Sequence, residues 1–298
     1  MRNGLAAILI LLSVTALPGC RMLSRHGPVS RSLVQSRQLC QQGIAAMERG
    51  QWEEAEGLLS EAVDTCSENH DSHRHYAEVL WRKGCRAEAM EHLEKARLLA
   101  VDDASLMVTI AEKRLALEQV EAARQSAQNA LDLDPKLPAA WAARGRVRRR
   151  EHELRLALAD YHRALGFAPD DSAILIEVAE LYAEMGRPQQ SLAALHQAAN
   201  TWPPGAESQR LLYLQGLSYS ALGRYGEAID SLAAAVSRDN PTPDILFRLG
   251  EAELLDGQPG RAAAAAQHAL SIDPGHQPSL QLLDRVRIAR GPEQRLAR

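Results

Sequence analysis

Residues 138–171 read PAAWAARGRVRRREHELRLALADYHRALGFAPDD, a pattern that the rest of the chain repeats. It predicts two short helices. Pro138 suits the first turn of a helix, because the N–H that proline lacks would have no partner there. Pro169 cannot continue a helix, so the second helix ends before it. Small and large side chains between the two prolines allow close helix packing. They are Gly145, Ala157, Ala164, Trp141 and Tyr161.

The same template recurs along the chain at a nearly fixed step. A small residue fills the slot of Ala157 every 34 residues, with a single longer step of 37. The members of this slot are Ala55, Ala89, Ala123, Ala157, Ser191, Ala228 and Ala262. The slots of Gly145 and Ala164 keep the same register, with glycine or alanine in every copy. Three small-residue slots kept in register indicate a tandem repeat that grows by stacking.

A 34-residue period with this pattern resembles the tetratricopeptide repeat, a helix–turn–helix unit. The resemblance implies an all-α fold, a right-handed α-solenoid of tandem helix–turn–helix repeats. We expect seven repeats, followed by a capping helix that is apolar towards the last repeat and polar towards water. The predicted repeats span 36–69, 70–103, 104–137, 138–171, 172–205, 209–242 and 243–276, and the capping helix and tail span 277–298.

The composition suits helices that pack through small and aliphatic side chains. Hydrophobic residues make up 46% of the chain and aromatic residues only 4%. The formal net charge is −4 over 298 residues, which implies no general attraction to nucleic acid. The sequence contains no GxSxG, Walker loop, HExxH or CxxC motif, so we expect no enzymatic activity and no cofactor.

Residues 1–19 are typical of an export signal, in which Arg2 precedes an apolar run that ends before Cys20. Residues 17–20 read LPGC and resemble the bacterial lipobox, in which a signal peptidase cuts before a cysteine that then carries acyl chains. This resemblance predicts lipid attachment at Cys20 and a short tether over residues 20–35. Two alternatives stay open, a soluble protein that is cut after Ala16 and an anchor that is not cut.

The chain also resembles bacterial envelope lipoproteins built from tetratricopeptide repeats, and this resemblance implies a location and a function. Arg21 stands where an aspartate would signal retention in the inner membrane, so we expect an outer-membrane lipoprotein that faces the periplasm. A secreted or soluble periplasmic protein is the alternative. The expected function is a scaffold or adaptor that binds a partner protein or peptide in a concave groove. The alternative function is a structural subunit of an envelope, pilus or secretion assembly, and oligomers suit either function.

In the tetratricopeptide family, recurring positions of the first helix of each repeat face this groove. Mapped onto this chain, they predict apolar and aromatic side chains around a basic centre. The predicted groove residues are Trp81, Arg146, Arg149, Ile176, Tyr213 and Phe247. Such a strip suits a protein segment with an acidic centre and apolar flanks, since aromatic residues and arginine anchor many interfaces. The alternative is that the three aromatic residues pack between neighbouring first helices.

The arginine run at 144–150 also has two interpretations. It can be a charged helix face with local ion pairs to Glu151 and Glu153, or an anion-binding strip. A second group of polar residues in one predicted helix comprises His70, His73 and His75. These histidines do not share one helix face, so we expect a solvated helix start and no metal site.

Three cysteines follow Cys20 in the sequence. Cys40 and Cys66 fall at helix ends that an antiparallel pair brings together, so a disulfide can form in an exported protein. Buried thiols that pack as small hydrophobic groups are the alternative. Cys85 lies at the opposite end of the next helix pair and is expected to be unpaired.

Replacing Cys20 tests the predicted anchor. The Cys20→Ser variant lacks the thiol that would carry acyl chains, so we expect it to leave the membrane fraction that wild type occupies. Intact-mass spectrometry of wild type should show a chain that lacks residues 1–19 and carries acyl mass. A wild-type chain without acyl mass would contradict lipidation.

Overall fold

The structure is a computed structural model that describes residues 31–203 and 205–291. Within these ranges all regular secondary structure is α-helical. The helices are α1 (Arg31–Glu48), α2 (Trp52–Thr65), α3 (His70–Arg82), α4 (Arg86–Leu99), α5 (Ala104–Ala116), α6 (Val120–Leu133), α7 (Pro138–Arg150), α8 (Leu154–Phe167), α9 (Ser172–Glu184), α10 (Pro188–Ala199), α11 (Gln209–Ala221), α12 (Tyr225–Arg238), α13 (Pro243–Leu255), α14 (Pro259–Ile272) and α15 (Gln277–Ala289). The predicted signal peptide and Cys20 lie outside the described residues.

The helices pack in consecutive pairs. α1 packs against α2, α3 against α4, and so on to α13 and α14, and each pair packs on the next one. This arrangement confirms the predicted all-α array of helix–turn–helix repeats. The last helix, α15, packs on both α13 and α14, and its buried Leu282 and Val286 contact the alanines of α14. The apolar end of the last pair is therefore covered.

The first helix begins before residue 36, where the repeat pattern predicts its start. α1 starts at Arg31, so residues 31–35, which were assigned to the tether, are helical. These five residues contain neither glycine nor proline, so nothing in them stops the helix that follows. Leu33 in this added turn is half-buried.

Small residues set the distance between the first and second helix of each repeat. All three small-residue slots are buried in every repeat. In repeat four, Gly145 of α7 faces Tyr161 of α8, whose side chain is fully buried. A Cβ at Gly145 would lie 3.0 Å from a ring carbon of Tyr161, which is tighter than ordinary van der Waals contact. Leu232 approaches Gly216 in the same way in repeat six.

The turn between the two helices of each repeat places one residue in the left-handed region. Five of these residues are Gly50, Gly84, Gly186, Gly223 and Gly257. In repeats three and four the position is held by Glu118, with φ 59°, and His152, with φ 61°. Left-handed backbone costs a residue with a side chain about 1–2 kcal/mol. These two neighbouring turns therefore carry a local strain that the other five do not.

The three cysteines in the described part of the chain are free. Cys40 is buried, and burial raises the pKa of its thiol. It neighbours a buried hydrogen-bond network between repeats one and two, in which Asn69 Nδ2 donates to Ser36 Oγ at 2.9 Å and to Ser72 Oγ at 2.7 Å. Cys40 and Cys66 are therefore unpaired thiols in this structure and do not form the disulfide that was one of the two alternatives.

The expectation of a solvated helix start is wrong for His73, which is 2% exposed. Its Nδ1 lies 2.8 Å from Nδ1 of His92 on α4, and its Nε2 lies 3.1 Å from the carbonyl oxygen of Ser67. The ring of His92 packs edge-on against Tyr76, with centroids 4.8 Å apart. When Nε2–H of His73 donates to Ser67, its Nδ1 is left as an acceptor for Nδ1–H of His92. Two neutral imidazoles therefore satisfy this arrangement.

The contact between Gly145 and Tyr161 can be tested by substitution. Gly145→Ala should lower the free energy of unfolding by about 1–3 kcal/mol, because the added methyl group overpacks a buried aromatic ring. Gly166→Ala on α8 is the matched control, since no atom lies within 4 Å of its added Cβ. It should raise stability by about 0.5–1 kcal/mol through helix propensity. Urea unfolding that finds the two variants equally stable would contradict the proposed contact.

The His73–His92 pair predicts how stability depends on pH. Burial lowers the pKa of both imidazoles, that of His92 from 6.5 to about 4. The unfolded chain therefore binds protons at higher pH than the folded chain does. The contribution of the pair is complete above pH 6.5 and declines as the pH falls towards 4. We expect His92→Gln, which does not titrate, to flatten this decline in the free energy of unfolding.

His268→Gln is the control for the pH experiment, because His268 is exposed on α14. This variant should keep the wild-type slope of unfolding free energy against pH. An identical slope in wild type and His92→Gln would show that the buried pair does not cause the pH dependence.

Candidate functional site

Ion pairs join neighbouring repeats across the exposed side of the first helices, which we call the groove face. Arg146 on α7 lies 2.6 Å from Glu112 of α5 and 2.8 Å from Glu177 of α9. Arg149 lies 2.8 Å from Glu180 of α9 and also pairs with Glu184. The two arginines therefore tie α7 to the first helices on either side of it.

Further pairs continue this pattern in both directions. Lys113 of α5 lies 2.7 Å from Glu78 of α3, and Arg210 of α11 lies 2.6 Å from Glu180 of α9. We call the whole set the charge ladder. Its members are Glu78, Lys113, Glu112, Arg146, Glu177, Arg149, Glu180, Glu184 and Arg210. The ladder runs from α3 to α11, and among the residues that the structure describes no ion pair links α11 to α13.

The electrostatics of the ladder differ from the basic centre that the sequence predicted. Burial alone would lower the pKa of Arg146, but the carboxylates of Glu177 and Glu112 outweigh burial and raise it. The pKa of Arg149 is raised as well, since the hydrogen bonds that it donates to Glu184 and Glu180 outweigh burial. Both guanidinium groups are therefore charged and already balanced by carboxylates that neighbouring repeats supply.

The remaining arginines of the 144–150 run have other partners. Arg144 donates to Asp160 of α8 at 2.8 and 3.0 Å, and Arg148 lies 2.7 Å from the same carboxylate. Asp160 is buried, so this cluster belongs to the packing of repeat four. Within the described residues, neither Glu151 nor Glu153 pairs with the arginine run, and Glu151 pairs with an arginine of repeat three. The predicted local ion pairs are wrong, because the partners come from the second helix and from neighbouring repeats.

The three predicted aromatic groove residues are half-buried. Trp81 packs on the core of repeats two and three, with Lys113 Nζ 4.8 Å from its ring centroid. Tyr213 packs against apolar clusters of repeats six and seven. Phe247 meets the ring of His276 edge-on, with centroids 6.1 Å apart. Each ring therefore packs between helices and still leaves part of its surface exposed.

Ile176 is not a groove residue. Its side chain is 5% exposed and belongs to the same core cluster as Tyr161 and Leu181. The outward positions of α9 are held by Glu180 and Glu184, which take part in the charge ladder. The family-based mapping is wrong here because α9 turns this position towards the core.

An open cleft of about 930 Å³ lies on the groove face where α5, α7 and α9 meet the turn that follows α7. We call it the central cleft. It is lined by Glu112, Leu115, Ala116, Arg146, Arg149, Arg150, His152, Leu154 and Glu184. Arg150, His152 and Leu154 were not predicted as site residues, because the cleft forms only where repeats meet. Of these three residues, only His152 stands out in the sequence, because five other repeats have glycine at the same position of the turn.

The described ranges 31–203 and 205–291 contain no helix long and apolar enough to cross a bilayer. In the same ranges, no group of three or more potential metal-ligating side chains converges. The groove face presents ion-paired charges, half-buried aromatic rings and the apolar floor of the central cleft. Such groups are common at contacts between polypeptides.

Comparisons with known proteins agree with this architecture. A family model of the tetratricopeptide repeat matches residues 40–103 and 213–276. No curated protein matches the chain. Among solved structures, a tetratricopeptide repeat protein from Parabacteroides merdae is 17% identical, with a TM-score of 0.61 over 85% of this chain and 99% of that chain.

Two further solved structures have a similar fold. YrrB, a TPR protein with an unusual peptide-binding site, is 19% identical, with a TM-score of 0.52 over 63% of this chain and 96% of its own. PilW, a type IV pilus biogenesis factor, is 17% identical, with a TM-score of 0.61 over 68% of this chain and 93% of its own. At these identities the likeness shows the fold. The chain therefore contains tetratricopeptide repeats at 40–103 and 213–276, and the same helix–turn–helix unit fills the chain between them.

Proposed function

We propose that this chain is a scaffold that binds a partner protein or peptide along its groove face. The observation that carries the proposal is the row of first helices, whose exposed sides present half-buried aromatic rings and an open cleft. An aromatic ring that is held by its neighbours loses little conformational entropy when a partner covers it, which favours such rings as anchors.

The groove face has two parts with different chemistry. From α3 to α11 the charge ladder balances its own charges, so a partner there must match a fixed pattern of both signs. The ladder ends at Arg210, at the start of α11, and from there on Tyr213 and Leu217 of α11 and Phe247 and Leu254 of α13 offer half-buried apolar surface. We infer that the apolar part supplies most of the affinity and the charged part most of the selectivity.

A location in the bacterial cell envelope belongs to the same proposal. The export signal at 1–19 and the cysteine at position 20 support a lipid anchor in the outer membrane with the repeats in the periplasm. A pilus or secretion assembly is one setting for such a scaffold, and PilW, which has this fold, is a pilus biogenesis factor. A secreted or soluble periplasmic protein is the alternative setting.

Site-specific photocrosslinking tests the proposed scaffold. A benzophenone amino acid at Tyr213 or Phe247 should form adducts with a bound partner in living cells, because both side chains lie on the groove face. The same label at Gln197, which is exposed on the second helix α10, is the matched control and should give no adduct. The adducts are detected as mass shifts on gels and identified by mass spectrometry.

The double variant Tyr213→Ala with Phe247→Ala should remove the adducts formed from a third label at Leu217. Thermal melting must show that the variant is folded. Equal adducts from Gln197 and from the groove labels, or none from either, would contradict binding at the groove face. Adducts of the chain with itself would favour the structural-subunit alternative.

A further inference from the structure

The two strained turns and the central cleft lie at the same place. Glu118 and His152 hold left-handed positions that glycine holds in five other repeats, and they belong to consecutive repeats. His152 lines the central cleft, and Glu118 pairs with Arg150, which also lines it. Strained backbone that recurs around one cleft points to a role for these side chains beyond closing a turn.

The three arginines of the cleft differ in how many carboxylates they contact and in how exposed they are. Arg146 and Arg149 each contact two carboxylates, and their side chains are 28% and 29% exposed. Among the described residues, Arg150 pairs with the single carboxylate of Glu118, and the two side chains are 49% and 68% exposed. An ion pair so open to water contributes little to stability and exchanges easily.

The floor of the cleft is apolar. Leu115, Ala116 and Leu154 form the apolar part of its lining, which we call the floor, and Leu154 is the first residue of α8. The volume of about 930 Å³ accommodates several side chains of a polypeptide. The cleft thus combines an apolar surface with one arginine whose carboxylate partner is replaceable.

We propose that the central cleft receives a peptide segment that places an apolar side chain on this floor and a carboxylate on Arg150, in place of Glu118. The inference rests on the proposed scaffold function and names the chemistry of one contact within it. Arginine and carboxylate form a charge-assisted, planar pair, and the exchange of one carboxylate for another leaves the charge balance of the cleft unchanged. Glu118 is then an internal competitor that occupies Arg150 until the partner arrives.

The test begins with a displayed library of random nonapeptides selected on the purified full-length chain. We expect the selected peptides to carry Asp or Glu beside Leu, Ile or Phe. One such peptide is synthesised with a fluorophore, and its Kd is measured by anisotropy. Arg150→Glu should weaken binding by about tenfold or more, because it replaces attraction with repulsion.

Glu118→Gly gives the opposite expected result. It removes the competing carboxylate and relieves the strained turn, so the peptide should bind about threefold more tightly. Arg287→Glu is the matched control for Arg150→Glu, since both replace an arginine by a glutamate, and Arg287 is exposed on α15, away from the cleft. It should leave the Kd unchanged. Binding to wild type should also weaken at high salt, where charge pairs are screened.

The outcomes separate the cleft from the wider proposal. Peptides that lose affinity with Tyr213→Ala and Phe247→Ala but bind Arg150→Glu as tightly as wild type would overturn the cleft assignment and leave the scaffold function standing. Selected peptides without acidic residues, or a library that yields no binder, would also count against the cleft. Weaker binding by Glu118→Gly would show that Glu118 contacts the peptide rather than competing with it, and would overturn its assigned role.

Discussion

The close approach of the two helices in each repeat is the constraint on which the rest of this structure depends. Gly145 illustrates it, because the ring of Tyr161 occupies the space that any side chain at this position would need. The same limit applies at Gly250 of α13, where an added Cβ would lie 3.1 Å from the carbonyl oxygen of Ala262 on α14. A larger residue at such a slot would spread the helix pair, and every pair that stacks on it would lose contact as well.

Packing between repeats adds ion pairs to the apolar core that neighbouring repeats share. The buried slots hold each helix pair together, while the exposed sides of the first helices are joined by ion pairs such as Arg146 with Glu112 and Glu177. A single exposed ion pair contributes little, but Arg146, Arg149 and Glu180 each take part in two or more pairs, and such networks restrict side chains that would otherwise be mobile. The face on which a partner is expected to lie is therefore ordered before binding.

The fixed arrangement of charges on the groove face favours selective recognition of a partner. A partner that meets a preformed pattern of charges loses less entropy in fixing side chains, and mismatched charges are excluded by repulsion. The strained turns at Glu118 and His152 fit this picture, since His152 lines the central cleft and Glu118 pairs with Arg150, which also lines it. The stability lost there is local, because each repeat contacts only its neighbours.

The sequence by itself determined the repeat unit, its period and the class of the fold. Small residues such as Ala157 recur in fixed register, and helix packing requires them wherever they occur, so a one-dimensional pattern is enough to identify the slots. The early start of α1 was missed because no residue marks the boundary between a tether and a helix there.

Only the tertiary structure decided which polar side chains meet. Arg146 and Arg149 read as a basic strip in the sequence, yet the structure pairs them with glutamates about one repeat away on either side. Ile176 read as exposed and is buried, and His73 read as solvated and pairs with His92. The central cleft was likewise invisible, because three repeats and one turn build it together. Contacts between repeats depend on how the helices are rotated and stacked, and a period in the sequence specifies that contacts recur without specifying which side chains make them.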